Sequence, residues 1–131
     1  MKKLSEPAQT LLHSLAVTRY EQGQFSKSKG LFRLLTLLTP GDARFWIGLG
    51  ASLMLDGEYE EAIDAYTMAS IYDEQDPRPL AYIGQCYYHQ GATEPAEASL
   101  AKARALCERF GHDSFLDTIF DMEQLYGPTR T

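Results

Sequence analysis

Glycine recurs in this chain at a fixed interval of 34 residues, at Gly23, Gly57 and Gly91. Each of these glycines lies between two runs that carry apolar residues at helical spacing, so each marks the turn of a helical hairpin. A hairpin of this size cannot bury its apolar face alone, and a chain that repeats it buries those faces by stacking neighbouring copies. The interval therefore predicts an all-α solenoid.

Other positions keep the same interval. Small residues align in the first helix of each hairpin, at Ala16, Gly50 and Gly84, and a small residue also recurs in each second helix. Small side chains at these positions allow the two helix axes of a hairpin to approach closely. The larger residues that align around this contact are Leu12, Trp46 and Leu80, then Leu15, Leu49 and Ile83, and then Phe32, Tyr66 and Leu100.

This pattern resembles the tetratricopeptide repeat, in three tandem copies at residues 9–42, 43–76 and 77–110. The resemblance implies a right-handed solenoid. Because the last repeat of a solenoid leaves an apolar face open, a cap must cover it. A helix over about residues 113–126 is the candidate for this C-terminal capping helix. We expect one domain over residues 1–131, since the breaks at residues 40–42 and 74–79 punctuate a single solenoid and no linker or low-complexity region is present.

Charge and hydropathy limit the classes of function. The chain has 18 acidic and 12 basic residues among 131, with a formal net charge of −6, and no basic stripe that could bind nucleic acid. No apolar run approaches the roughly 20 residues of a membrane span. Lys2 and Lys3 precede an apolar run, but Glu6 and Pro7 interrupt it, so we predict no secretion signal and a cytoplasmic protein.

Catalytic groups do not converge in the sequence. His13, His89 and His112 fall in separate elements, so no two of them form the i, i+4 pair of a helical metal site. Cys86 and Cys107 occupy positions that a helix would bury, where thiols are normally inert. No glycine-rich phosphate loop is present. We expect no enzymatic activity, no cofactor and no metal site.

Stacked hairpins curve and expose a concave surface that the first helices line. The stripe next to the core positions of each first helix is predicted to face this surface. Its residues, the predicted groove, are His13, Val17 and Tyr20 in the first repeat, Arg44, Ile47, Ala51 and Met54 in the second, and Arg78, Ala81, Gln85 and Tyr88 in the third.

Two alternatives concern members of the predicted groove. Val17, Ile47 and Met54 either stay open to solvent or pack against neighbouring repeats. Arg44 and Arg78 lie in first helical turns, where the helix dipole disfavours a cation. These arginines either pair with carboxylates such as Asp42, Asp73 or Asp76, or meet an acidic group or a backbone carbonyl of a partner.

The segments 44–50, 57–66, 76–79 and 91–98 resemble the class II chaperones of type III secretion, the LcrH/SycD/IpgC-like proteins. The run from Arg44 to Gly50 and the Pro77-Arg78 pair are more specific than the general repeat consensus. The resemblance implies a virulence-associated chaperone of the bacterial cytoplasm. Such a chaperone holds an extended N-terminal segment of hydrophobic translocator proteins in its concave groove and keeps them soluble and competent for secretion.

Other functions remain open at this point. A needle-subunit co-chaperone or a regulatory adaptor in the same secretion system fits the same sequence. An adaptor that clamps a C-terminal carboxylate would need Lys and Asn where His13 and Val17 stand, so it is disfavoured. Relatives in the resembling family dimerise through a longer N-terminal helix, whereas about eight residues precede the first repeat here, which leaves a homodimer as an open expectation.

Overall fold

The computed structural model describes residues 4–127, and within that range all regular structure is helical. The prediction of an all-α solenoid is confirmed. The helices are α1 (Glu6–Glu21), α2 (Phe25–Leu38), α3 (Ala43–Leu55), α4 (Tyr59–Tyr72), α5 (Arg78–His89), α6 (Thr93–Phe110) and α7 (Asp113–Tyr126).

The helices stack in chain order. From α1 to α6 each helix packs against the next one, and α7 packs against both α5 and α6. Gly23, Gly57 and Gly91 have φ angles of 74°, 80° and 75° at the hairpin turns, as their spacing predicted. This left-handed conformation strains residues with a Cβ atom, so glycine is the residue that these turns require.

The small residues of the first helices make the predicted close contacts. A Cβ atom at Gly50 would lie 2.7 Å from the Tyr66 ring, and one at Gly84 would lie 3.0 Å from Cγ of Leu100. The side chains of Tyr66 and Leu100 are buried in the core. The contacts within the second and third hairpins therefore depend on the absence of a side chain in the first helix.

Two residues depart from the predicted core. Phe45 is buried and Trp46 is only partly buried, because the indole lies toward the α2–α3 connection, where its Nε1 donates to the carbonyl oxygen of Pro40 at 2.6 Å. Leu15 is 41% exposed, although the aligned Leu49 and Ile83 are buried. Leu15 belongs to the first repeat, and no helix of residues 4–127 precedes α1 to cover it.

A buried pair of serines joins the first three helices. Ser28 Oγ donates to the carbonyl oxygen of Ala16 at 3.0 Å and lies 2.8 Å from Ser52 Oγ. Ser52 Oγ also lies 2.9 Å from the carbonyl oxygen of Gly48. Because both hydroxyls are satisfied, the pair can be buried, although the residues aligned with Ser28 in the other repeats are alanines, Ala62 and Ala96.

Candidate functional site

The predicted groove residues lie on α1, α3 and α5, the first helices of the three hairpins. In a solenoid of this kind the first helices face the concave side. Arg44 and Arg78 are exposed, and the other members are half-buried with one exception. The half-buried members are His13, Val17, Tyr20, Ile47, Ala51, Met54, Gln85 and Tyr88.

Ala81 is the exception, because it is 0% exposed. It lies in a buried cluster with Leu100 of α6 and with Ile119 and Met122 of α7. The helix that caps the last repeat thus covers this position, and Ala81 offers no surface to a ligand. Our proposed groove therefore omits it.

Val17, Ile47 and Met54 combine the two alternatives that the sequence left open. Each packs against the buried core cluster that spans α1 to α5, and each keeps part of its side chain exposed. Partial burial fixes these side chains in position. A side chain held in this way loses less conformational entropy on binding a ligand than a mobile side chain would.

His13 packs between the first and second repeats. Its ring meets Phe32 edge-on at 5.9 Å and Phe45 edge-on at 5.2 Å between ring centroids. Burial lowers the pKa of His13, and the Arg44 guanidinium lowers it further, while Asp42 raises it. The imidazole is therefore neutral at pH 7 and lies at the edge of the groove as a packing group.

Arg44 and Arg78 each pair with the aspartate two residues before them, so the pairing alternative is confirmed. Arg44 Nη2 lies 2.7 Å from Asp42 Oδ2, and Arg78 Nη2 lies 2.7 Å from Asp76 Oδ2. Each aspartate also accepts the backbone N–H of its arginine, at 3.0 Å and 2.9 Å. The hydrogen bonds from Arg44 hold the pKa of Asp42 below its usual value.

These pairs place two guanidinium groups at equivalent points of consecutive repeats. The arginine side chains are 66% and 50% exposed, for Arg44 and Arg78 respectively. A guanidinium has five N–H donors, and the aspartate does not use all of them. Each arginine can therefore donate to a carbonyl or carboxylate oxygen of a partner without leaving its aspartate.

Tyrosines lie at both ends of the groove. The Tyr20 ring meets Phe25 edge-on at 5.5 Å, and the Tyr88 ring stacks on Tyr126 at 5.9 Å. Burial raises the pKa of Tyr20 and of Tyr88, so both hydroxyls stay protonated. The sequence did not reveal Tyr126 as part of this region, although it lies four residues after Met122 and so on the same face of α7.

Residues 4–127 contain no group of three His, Cys, Asp or Glu side chains that could hold a metal ion. Within the same residues, every helix is too short or too polar to cross a bilayer. Both cysteines are buried free thiols, and burial raises the pKa of Cys86 to about 12.

Known proteins are similar to this chain in sequence and in fold. A family model of the tetratricopeptide repeat matches residues 13–77. Low calcium response locus protein H of Yersinia pestis is 31% identical over 106 residues, which cover 81% of this chain and 63% of that protein. The chain thus spans less than two thirds of the length of this curated relative.

Two solved structures align over nearly the whole chain. PcrH of Pseudomonas aeruginosa, in complex with the chaperone-binding region of PopD, has a TM-score of 0.87 and 28% identity, with 96% of each chain covered. The type III secretion chaperone SycD of Yersinia enterocolitica, in complex with a peptide of the translocator YopD, has a TM-score of 0.86 and 28% identity. That alignment covers 95% of this chain and 96% of SycD.

Proposed function

This chain belongs with the class II, tetratricopeptide-repeat chaperones of type III secretion, and from this premise we propose that it holds an extended segment of a hydrophobic translocator protein in its concave groove. The groove consists of the half-buried strip on α1, α3 and α5 and the two exposed arginines. Its proposed members are His13, Val17, Tyr20, Arg44, Ile47, Ala51, Met54, Arg78, Gln85 and Tyr88.

The observation that carries this proposal is the agreement between an apolar, pre-positioned strip and two neighbours that bind peptides. PcrH and SycD were solved with a chaperone-binding region and a translocator peptide, respectively. In this chain, Val17, Ile47 and Met54 are held by the core and still present surface. Small and apolar side chains at the same stripe of successive repeats suit an extended segment, whose anchors alternate along its length.

The groups at the groove differ in what they contribute to binding. Apolar and aromatic side chains supply affinity, since burying them removes water from both partners. Arg44 and Arg78 carry spare N–H donors at positions fixed by Asp42 and Asp76. We infer that these donors bind main-chain carbonyl or acidic groups of the client and so set the register of its segment.

We propose that this chain has no enzymatic activity, needs no cofactor and works in the bacterial cytoplasm. A chaperone of this kind shields its client before secretion. Burial of Cys86 and Cys107 removes the two nucleophiles that could most readily react. The groove then acts by binding alone, and the client leaves it without a chemical step.

We also propose that a second copy of the chain can cover the outer face of α1. Leu11 is 73% and Leu15 is 41% exposed, whereas residues aligned with Leu15 in later repeats are buried. An exposed apolar face of this kind usually marks a contact with a partner. Light scattering should show a dimer that weakens when Leu11 and Leu15 are both changed to Gln, and a monomer at all concentrations would contradict this.

The direct test of the chaperone function is co-expression. Each protein encoded beside this chain is produced alone and with it, and the soluble fraction of each protein is measured. We expect a translocator to become soluble only with the chain, and to copurify with it. A labelled peptide with the sequence of the PopD chaperone-binding region serves as a defined probe for affinity. If no neighbouring protein becomes soluble and the peptide does not bind, the proposal is contradicted.

A further inference from the structure

The last turn of α7 lies on the part of the proposed groove that α5 contributes, which we call its third segment. The Tyr126 ring stacks on Tyr88 with 5.9 Å between centroids and 15° between planes, and it meets His89 edge-on at 5.1 Å. Gln85 Nε2 donates to the Tyr126 hydroxyl at 3.2 Å. Gln85 and Tyr88, the proposed groove residues of α5 that follow Arg78, thus already contact a side chain of this protein.

Among residues 4–127, no ring from outside its own hairpin stacks on Tyr20 in the first segment of the groove, which α1 contributes. Tyr20 occupies the position in α1 that Tyr88 occupies in α5, two repeats later. The aromatic neighbour of Tyr20 is Phe25, which belongs to its own hairpin. Both tyrosines are half-buried, and they differ in one respect, because the ring that stacks on Tyr88 comes from the capping helix.

The body of α7 is anchored separately from Tyr126. Ile119 and Met122 are buried against α5 and α6, and Arg104 forms an ion pair with Glu123. Tyr126 follows one turn later, at the end of the helix, where backbone hydrogen bonds open most easily. The adjacent Leu125 is 74% exposed. The Tyr126 ring can therefore leave Tyr88 while Ile119 and Met122 stay in place.

We propose that Tyr126 determines which part of the groove a client occupies. With its ring on Tyr88, the client segment lies along α1, α3 and the Arg78 end of α5, and it reaches Gln85 and Tyr88 only by displacing Tyr126. This inference rests on the proposed function, since it concerns the same groove. It assigns the capping helix a second role, which is to limit the length of client that the groove accepts.

The experiment compares Tyr126→Ala with Leu125→Ala as a matched control, using the labelled PopD peptide as the probe. Affinity is measured by fluorescence polarisation, and the solvent access of Tyr20 and Tyr88 by hydroxyl-radical footprinting. In the unaltered chain the peptide should protect Tyr20 and leave Tyr88 unchanged. Tyr126→Ala should bind about three- to tenfold more tightly, the range expected for one aromatic pair, and the peptide should then protect both tyrosines.

Leu125→Ala should behave as the unaltered chain. Tyr126→Phe keeps the ring and removes only the bond from Gln85, so its affinity should fall between those of the unaltered chain and Tyr126→Ala. If α7 unfolds in Tyr126→Ala, the affinity of Tyr126→Phe still tests the inference. Peptide binding that protects Tyr88 in the unaltered chain, or equal affinity in all variants, would overturn this inference alone. Absence of binding in every protein would contradict the proposed function and this inference with it.

Discussion

Gly50 and Tyr66 lie so close together that a Cβ atom at position 50 would be 2.7 Å from the tyrosine ring. Tyr66 is among the largest fully buried side chains, so it has no room to move away. Gly50→Ala should therefore destabilise the fold by about 1 to 3 kcal/mol, as overpacked cores do. Urea unfolding, followed by helical circular dichroism, measures this change.

Gly30 provides the matched control for Gly50. It lies within α2, and a Cβ atom there would meet nothing within 4 Å. Gly30→Ala should therefore stabilise the protein by about 0.5 to 1 kcal/mol, because alanine favours the helix more than glycine. An equal gain in unfolding free energy from Gly30→Ala and Gly50→Ala would show that the contact between Gly50 and Tyr66 is not tight.

Leu15 and Leu49 test the difference between the first repeat and the second. They occupy the same repeat position, but Leu15 is 41% and Leu49 is 5% exposed. Leu49→Ala should cost about 2 to 5 kcal/mol of unfolding free energy. Leu15→Ala should cost less than about 1 kcal/mol. Both variants are measured by urea unfolding at a protein concentration that keeps the chain monomeric. Equal losses of unfolding free energy would contradict the exposure of Leu15 on α1.

The two thiols should react slowly in the native protein. Burial raises the pKa of Cys86 from 9.0 to about 12 and raises that of Cys107 as well. At pH 8 the thiolate that attacks a disulfide reagent is therefore scarce. Cys86 should therefore react with such a reagent at least about two orders of magnitude more slowly than in denaturant, and Cys107 should also react more slowly. The variant Cys86→Ala reports Cys107 alone, and fast labelling of either thiol in the native state would contradict its burial.

His13 should make stability depend on pH below neutrality. Its pKa is lowered in the folded state, mainly by burial and then by Arg44, whereas the unfolded side chain titrates near its ordinary value of about 6.5. The unfolded state therefore binds the proton more readily. The contribution of His13 is fully present above about pH 6.5 and decreases as the pH falls below it.

Urea midpoints at pH 7.5 and pH 5.5 measure this effect. The unaltered chain should lose more stability between these values than His13→Asn, because asparagine does not titrate. The other two histidines are common to both proteins, so their contribution cancels in the comparison. The same loss in both proteins would show that the lowered pKa of His13 does not contribute.

Sequence spacing was enough to predict the hairpins. Gly23, Gly57 and Gly91 required left-handed turns, and the small residues at Gly50 and Gly84 required close helix contacts, because these are local demands of backbone geometry. The prediction of Trp46 rather than Phe45 as the core residue was wrong. Neighbouring residues differ by about 100° around a helix, so both border the core, and only the packing of α2 on α3 decides which one is buried.

The ends of the solenoid were the least predictable part. Repeat alignment gives Leu15 and Leu49 the same role, yet their exposure depends on what precedes each repeat. Similarly, Ala81 is buried and Tyr88 is covered because of the angle at which α7 docks, and no periodicity encodes that angle. The membership of the groove remains our proposal, as does the assignment of the whole chain to one domain.

The central claim is that the strip along α1, α3 and α5 holds the client, and a charge placed in the middle of this strip tests it most directly. Ala51 is half-buried at the centre of the proposed groove, and Ala101 is an exposed helical alanine on α6. Ala51→Glu should weaken binding of the labelled PopD peptide at least about tenfold, since an apolar client would have to desolvate the carboxylate. Ala101→Glu should leave the affinity unchanged, and both variants should retain the helical signal. Equal affinity of the two variants for the peptide would contradict the account.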